Sequence, residues 1–165
     1  SITFWFILDN FKVTKFYIKI DNRFLNIFLI IIIVQIILGA FLAGLNGGLL
    51  YNSWPGMNGN FMPNDITNDD LYSSQSFNNP SVIQFYHRSV AYFLIIMLFF
   101  LNYIFFKQNN KSKSIILLNL AILFQIILGI LTLLTGVKIY YASLHQLGSV
   151  LVLTSYLFIY YKNTN

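Results

Sequence analysis

Four uninterrupted apolar runs constrain this chain more than any motif in it. They are Phe24 to Gly44, Val82 to Phe106, Ser114 to Leu134 and Tyr141 to Tyr161, each of 21 to 25 residues. A helix needs roughly 20 residues to cross the hydrocarbon of a bilayer. The first run is rich in isoleucine, yet backbone in lipid must satisfy its own hydrogen bonds, so helix is the economical reading. With 57% hydrophobic and only 9% charged residues, the chain reads as an all-α membrane protein. Residues 24–161 form its four-helix bundle, with an outer loop at 45–80.

The formal charge of +5 is a topology signal and not a nucleic-acid one. Lys12, Lys15, Lys19 and Arg23 precede the first span, Lys107, Lys111 and Lys113 lie between the second and third, and Lys162 follows the fourth. That places eight of the ten basic residues on one side, which the positive-inside rule makes cytoplasm or matrix. The opposite side carries Asp65, Asp69 and Asp70 in the long loop, and Lys138 in a short turn. Residues 1–23 read as the remnant of a preceding transmembrane helix, from the apolar Ile2 to Leu8, followed by a basic segment. A signal peptide fits less well, because there is no basic n-region and no small-residue cleavage site. Residues 162–165 read as an inner tail. The chain has no cysteine, which removes disulfides, Fe–S clusters and covalent haem attachment together.

An internal repeat organises the spans. Gln35-Ile36-Ile37-Leu38-Gly39 recurs as Gln125-Ile126-Ile127-Leu128-Gly129, and each copy is followed by an outward connection and a helix with a histidine near its outer end. The unit is a helix hairpin used twice, so the two histidine helices run parallel. Gln35 and Gln125 are expected near mid-membrane, bonding a neighbouring helix or standing beside a cofactor, with the glycines permitting close approach. Asn79-Pro80 predicts the N-cap and first residue of the second span. The stretch from Asn46 to Asn60 reads as an ordered cover or re-entrant loop, and Tyr51, Trp54, Tyr72, Tyr140 and Tyr141 as an interfacial aromatic belt.

His87 and His145, the only histidines, sit at matched depth. A lone imidazole in a membrane helix often just bonds a backbone carbonyl, but two in symmetric copies point to axial ligation of one haem iron. Two histidines without Asp, Glu or Cys at that depth make a poor zinc or copper site. Ala142, Gly148 and Ser149 near His145, and Ala91 near His87, would leave a slot for a flat macrocycle. Arg88 would pair with a haem propionate or snorkel to lipid headgroups.

Three segments carry a family resemblance. Gln35-Ile-Ile-Leu-Gly-Ala-Phe-Leu-Ala-Gly-Leu-Asn-Gly-Gly-Leu-Leu-Tyr-Asn-Ser-Trp-Pro55, Gln84-Phe-Tyr-His-Arg-Ser-Val-Ala-Tyr92 and Ala142-Ser-Leu-His-Gln-Leu-Gly148 resemble the C-terminal half of haem A synthase, in the form of alphaproteobacteria and mitochondria. The resemblance covers nearly the whole chain, departing at Asn46 and Tyr86, where the family often has Asp. It implies an eight-helix enzyme of two four-helix halves that oxidises the methyl group of haem O to the formyl of haem A. It implies, too, a haem b prosthetic group held here by His87 and His145, with the substrate haem in an N-terminal half. In that catalytic half a carboxylate stands three residues before the first histidine, where this chain has Gln84, so no catalytic residue is expected here and the task is electron transfer. The implied partners are that N-terminal half, haem O, haem O synthase, the lipid bilayer and, as an open matter, a second copy. The implied place is a bacterial cytoplasmic or mitochondrial inner membrane, with the haem toward the periplasm or intermembrane space. The rival readings are a stand-alone bis-histidine b-type cytochrome and a haem-free membrane assembly factor.

Overall fold

The computed structural model describes residues 2–10, 20–109 and 112–164. Lys12, Lys15, Lys19 and Lys111, on which part of the charge argument rests, lie outside them. The elements in order are α1 (Ile2–Asn10), α2 (Asn22–Gly44), α3 (Asn68–Tyr72), α4 (Pro80–Lys107), α5 (Lys113–Leu134) and α6 (Ile139–Thr164), with single 3₁₀ turns at Gly47–Leu49 and Ser76–Asn78. Among the described residues, α2, α4, α5 and α6 are long and apolar enough to cross a membrane. Only 17% to 28% of each apolar window is buried, so most of this surface faces outward, as a lipid-facing bundle requires.

Local chemistry sets the helix ends. The Asp21 carboxylate caps α2 by accepting from the Arg23 amide, and Ser112 caps α5 through the Ser114 amide. Asn79 accepts from the amides of Ser81 and Val82 with Pro80 as the first helical residue, as the sequence predicts. Where residues 162–165 were expected to be a tail, α6 continues to Thr164. The reason is Asn163, whose side chain pairs with both backbone groups of Ile20, at 2.8 and 3.0 Å.

Packing runs mainly within each hairpin, α2 on α4 and α5 on α6, with lesser contacts of α2 with α6 and α4 with α5. That ring of neighbours leaves α4 and α6 diagonal. The hydrophobic core fills one end of the bundle: Leu25, Phe28 and Ile32 of α2 meet Leu101 and Phe105 of α4, Leu118 of α5, and Tyr156 and Ile159 of α6. The Tyr156 hydroxyl donates to the Leu25 carbonyl there, and α1 joins this end through the Tyr161 hydroxyl on the Asp9 carboxylate. The histidines lie toward the opposite end, beyond this cluster.

Candidate functional site: two facing histidines under a clamped loop

Each histidine is placed by where its helix starts. His87 is seven residues into α4 and His145 six residues into α6, which at 1.5 Å per residue sets both roughly 10 Å below their helix starts. The turn before α6 is abrupt: Gly136 and Val137 both take positive φ, 68° and 58°. For a β-branched valine that conformation is strained. Val137 packs close to Gly48 of the long loop, where an added Cβ would meet its Cγ2 at 2.9 Å.

The two imidazoles meet across the diagonal in a near-perpendicular, edge-on arrangement, with ring centroids 6.4 Å apart and planes 77° apart. Two imidazoles bonded to opposite faces of one metal at about 2 Å each have centroids roughly 6 to 6.5 Å apart. The pair fits that spacing. Each ring lies against a glycine of the neighbouring hairpin helix: a Cβ on Gly39 would sit 3.2 Å from His87 Cε1, and one on Gly129 3.0 Å from His145 Cε1. The repeated glycine thus admits a ring, more specifically than the expected close helix approach.

The repeated glutamines also contact the two histidines, Gln125 through its backbone carbonyl at the ring and Gln35 through its side chain. His145 Nδ1 is 3.2 Å from the Gln125 carbonyl, while the Gln125 amide donates to the His145 carbonyl at 2.7 Å. That contact assigns Nδ1 to hydrogen bonding and leaves Nε2 for a ligand. Gln35 Nε2 lies 3.3 Å from His87 Nε2. Among the described residues, the buried side-chain atoms without a partner are Gln35 Oε1, Gln84 Oε1, His87 Nδ1 and Gln125 Oε1, all belonging to this end of the bundle. Buried polar atoms are normally satisfied, so orphans concentrated here single out this end of the bundle as the candidate site. The described residues contain no cluster of three or more His, Cys, Asp or Glu. Two imidazoles alone suit a metal whose other ligands come from a macrocycle.

Other expected site residues fall elsewhere. At Gly148 a Cβ would lie 2.2 Å from Gln125 Oε1, so its missing side chain makes room for that glutamine. Gln84 is 1% exposed and donates to the Tyr51 carbonyl at 3.1 Å. Ala91 is half-buried on α4. Arg88 contacts the loop: it donates to the carbonyls of Tyr51 at 2.7 Å, Ser53 at 2.9 Å and Gly56 at 3.1 Å. Tyr51 is not a belt residue either. It is 7% exposed, and its hydroxyl donates to Asp65, which also accepts from the Ser81 hydroxyl at 2.6 Å. Burial opposes ionisation of Asp65, but those two hydroxyls outweigh it and hold the carboxyl below its ordinary pKa, while burial and the same bond push Tyr51 up. The helical repeat pointed to Gln35, Gly39, Gln125 and Gly129; nothing local in sequence pointed to the Arg88 contacts.

The COX15-CtaA family, described as cytochrome oxidase assembly protein, matches residues 2–157. The chain belongs to the COX15-CtaA family. Relatives named "Heme A synthase" include that of Pelagibacter ubique, 58% identical over 99% of this chain and 49% of its own length. Those of Rickettsia felis and Wolbachia pipientis are 37% and 35% identical over 87% and 89% of the chain, and 43% and 41% of their own lengths. The chain therefore spans about half the length of these COX15-CtaA relatives. No solved structure matches it.

Proposed function

We propose that this chain is the haem-bearing half of a haem A synthase, with His87 and His145 the axial ligands of a b-type haem. The observation that carries the reading is the facing imidazole pair at 6.4 Å. It is supported by the unpartnered polar atoms around it and by relatives named for haem A synthesis.

A bound haem would supply a one-electron store between the oxidation of haem O and an outside acceptor. The chain's own residues hold and shield it. Gly39 and Gly129 let the Cε1 edge of each ring approach α2 and α5 closely, and the Gln125 carbonyl orients His145. All five acids, Asp9, Asp21, Asp65, Asp69 and Asp70, lie outside the histidine layer, and Gln84, one turn before His87, is a neutral amide bonded to the loop. In this reading no carboxylate stands at this depth to move a proton for oxidation of a buried methyl group. The oxidising site, the substrate haem O and the contact with haem O synthase belong in this reading to a preceding half of the polypeptide. The basic flanks then face the cytoplasm or matrix, and the histidines the other side of a bacterial cytoplasmic or mitochondrial inner membrane.

The test is spectroscopic and chromatographic. The purified protein should show a low-spin, six-coordinate b-type spectrum, and His87→Ala or His145→Ala should turn it high-spin or remove the pigment. In a host making haem O with no other synthase, this chain alone should accumulate no haem A, and joining it to the N-terminal half of a relative should restore production. An unchanged spectrum in either alanine variant defeats the ligand assignment; haem A from this chain alone defeats the half-enzyme reading.

A further inference from the structure

We propose that Arg88 is a positioning residue that seats the loop at 51–56 as a fixed strap along α4, shielding the flank of His87. The strap's bonds are made within the chain, while its effect on His87 rests on the haem reading.

Irregular backbone beside a membrane helix carries carbonyls that neither a helix nor a sheet satisfies, and each is costly to leave unpaired. Four carbonyls between residues 51 and 56 take a donor from α4. Gln84 and Arg88 share that of Tyr51, Arg88 bonds those of Ser53 and Gly56, and the Tyr92 hydroxyl bonds that of Pro55 at 3.0 Å. Gln84, Arg88 and Tyr92 are spaced by four, so they form one stripe of donors on the helix, and His87 is the immediate neighbour of the central one.

The stripe needs an arginine at its centre. A guanidinium presents five donors in a planar fork and reaches three carbonyls at once, whereas a lysine is a compact point charge. Among the described residues no carboxylate pairs with Arg88, so carbonyl dipoles surround its charge. The strap is also closed on itself. The Ser53 hydroxyl donates to the Gly56 carbonyl and accepts from the Asn58 amide, and Met57 bonds Asn60 and is 1% exposed. Held by α4 at four carbonyls, three of them through Arg88, it moves as a unit.

The chain has no cysteine, so Met57→Cys installs a single buried thiol whose labelling by a membrane-permeant maleimide, in membranes of producing cells, reports strap opening. Adding Arg88→Met should speed labelling about tenfold or more, and Arg88→Lys should do nearly the same. The midpoint potential of the bound haem is the second readout, which a loop anchor remote in effect would not move. It should fall in both variants as water gains the flank of His87. Should either fail to assemble, Gln84→Leu and Tyr92→Phe each remove one donor and should speed labelling less, in the same direction. A thiol equally protected in Arg88→Met and these single-donor variants overturns the strap. Released labelling with an unmoved potential overturns the positioning role. Restoration of both readouts by lysine overturns it too, assigning Arg88 to a point-charge partner such as a haem propionate or a lipid headgroup. Absence of pigment from the unsubstituted protein would count against the haem reading and leave the labelling to decide the strap.

Discussion

A missing methyl group decides where each imidazole rests. Alanine is favoured over glycine in a helix by about 1 kcal/mol, so Gly39 and Gly129, each five residues before the end of its helix, go against local preference and make room for the rings beside them. Gly129→Ala puts a Cβ 3.0 Å from His145 Cε1 and should displace the ring, with a net loss of about 1 to 3 kcal/mol and an altered haem spectrum. Gly44→Ala, where nothing lies within 4 Å, is the control and should be neutral or stabilising. Thermal unfolding and absorption of the two variants side by side check this; equal behaviour would show that the ring contact does not matter. The repeat of Gln35 and Gln125 was legible as a pair of intramembrane amides. Which group each amide reaches was not, because a glutamine side chain can meet any neighbour within its reach and sequence spacing does not say which helix lies beside it.

At the scale of elements, α4 is the organiser: it carries the donor stripe to the loop, one histidine, and the polar contact to α5. That contact is a reciprocal amide pair. Asn102 donates to Asn119 at 2.9 Å and Asn119 to Asn102 at 2.7 Å, and each also bonds the carbonyl four residues back on its own helix, Leu98 or Ile115. Because α4 and α5 otherwise touch little, the clasp sets their relative register. Asn102→Leu should cost about 1 to 2 kcal/mol, since it leaves the partner amide short of a bond in an apolar setting. Adding Asn119→Leu should recover part of that loss. Unfolding titrations of both single variants and the double variant form the cycle, and simple additivity would mean that the pair is not coupled. The helix limits themselves were readable from Asn79-Pro80 and from hydropathy. The extension of α6 was not, because it depends on Asn163 finding Ile20, 143 positions away.

At the scale of the whole molecule, one end of the bundle is closed by a hydrophobic cluster and the other holds the polar site under its loop. The charge asymmetry predicts which end faces inward. A single cysteine in place of Asp69 should react with an impermeant thiol reagent from outside, and one in place of Lys113 should not; equal labelling in right-side-out vesicles would overturn that orientation. The sequence alone determined the spans, their number and the doubled hairpin, because lipid leaves helix as the economical form for a long apolar run and a repeated motif needs no third dimension to be seen. It also singled out His87 and His145, because imidazoles are rare and costly in such runs. Only the tertiary structure decided that the two rings meet at 6.4 Å across diagonal helices, that Gly148 serves Gln125, and that Arg88 binds loop carbonyls. Those facts depend on distances between segments far apart in the chain, which are set when helices pack and loops fold back, and no local preference of the residues encodes them.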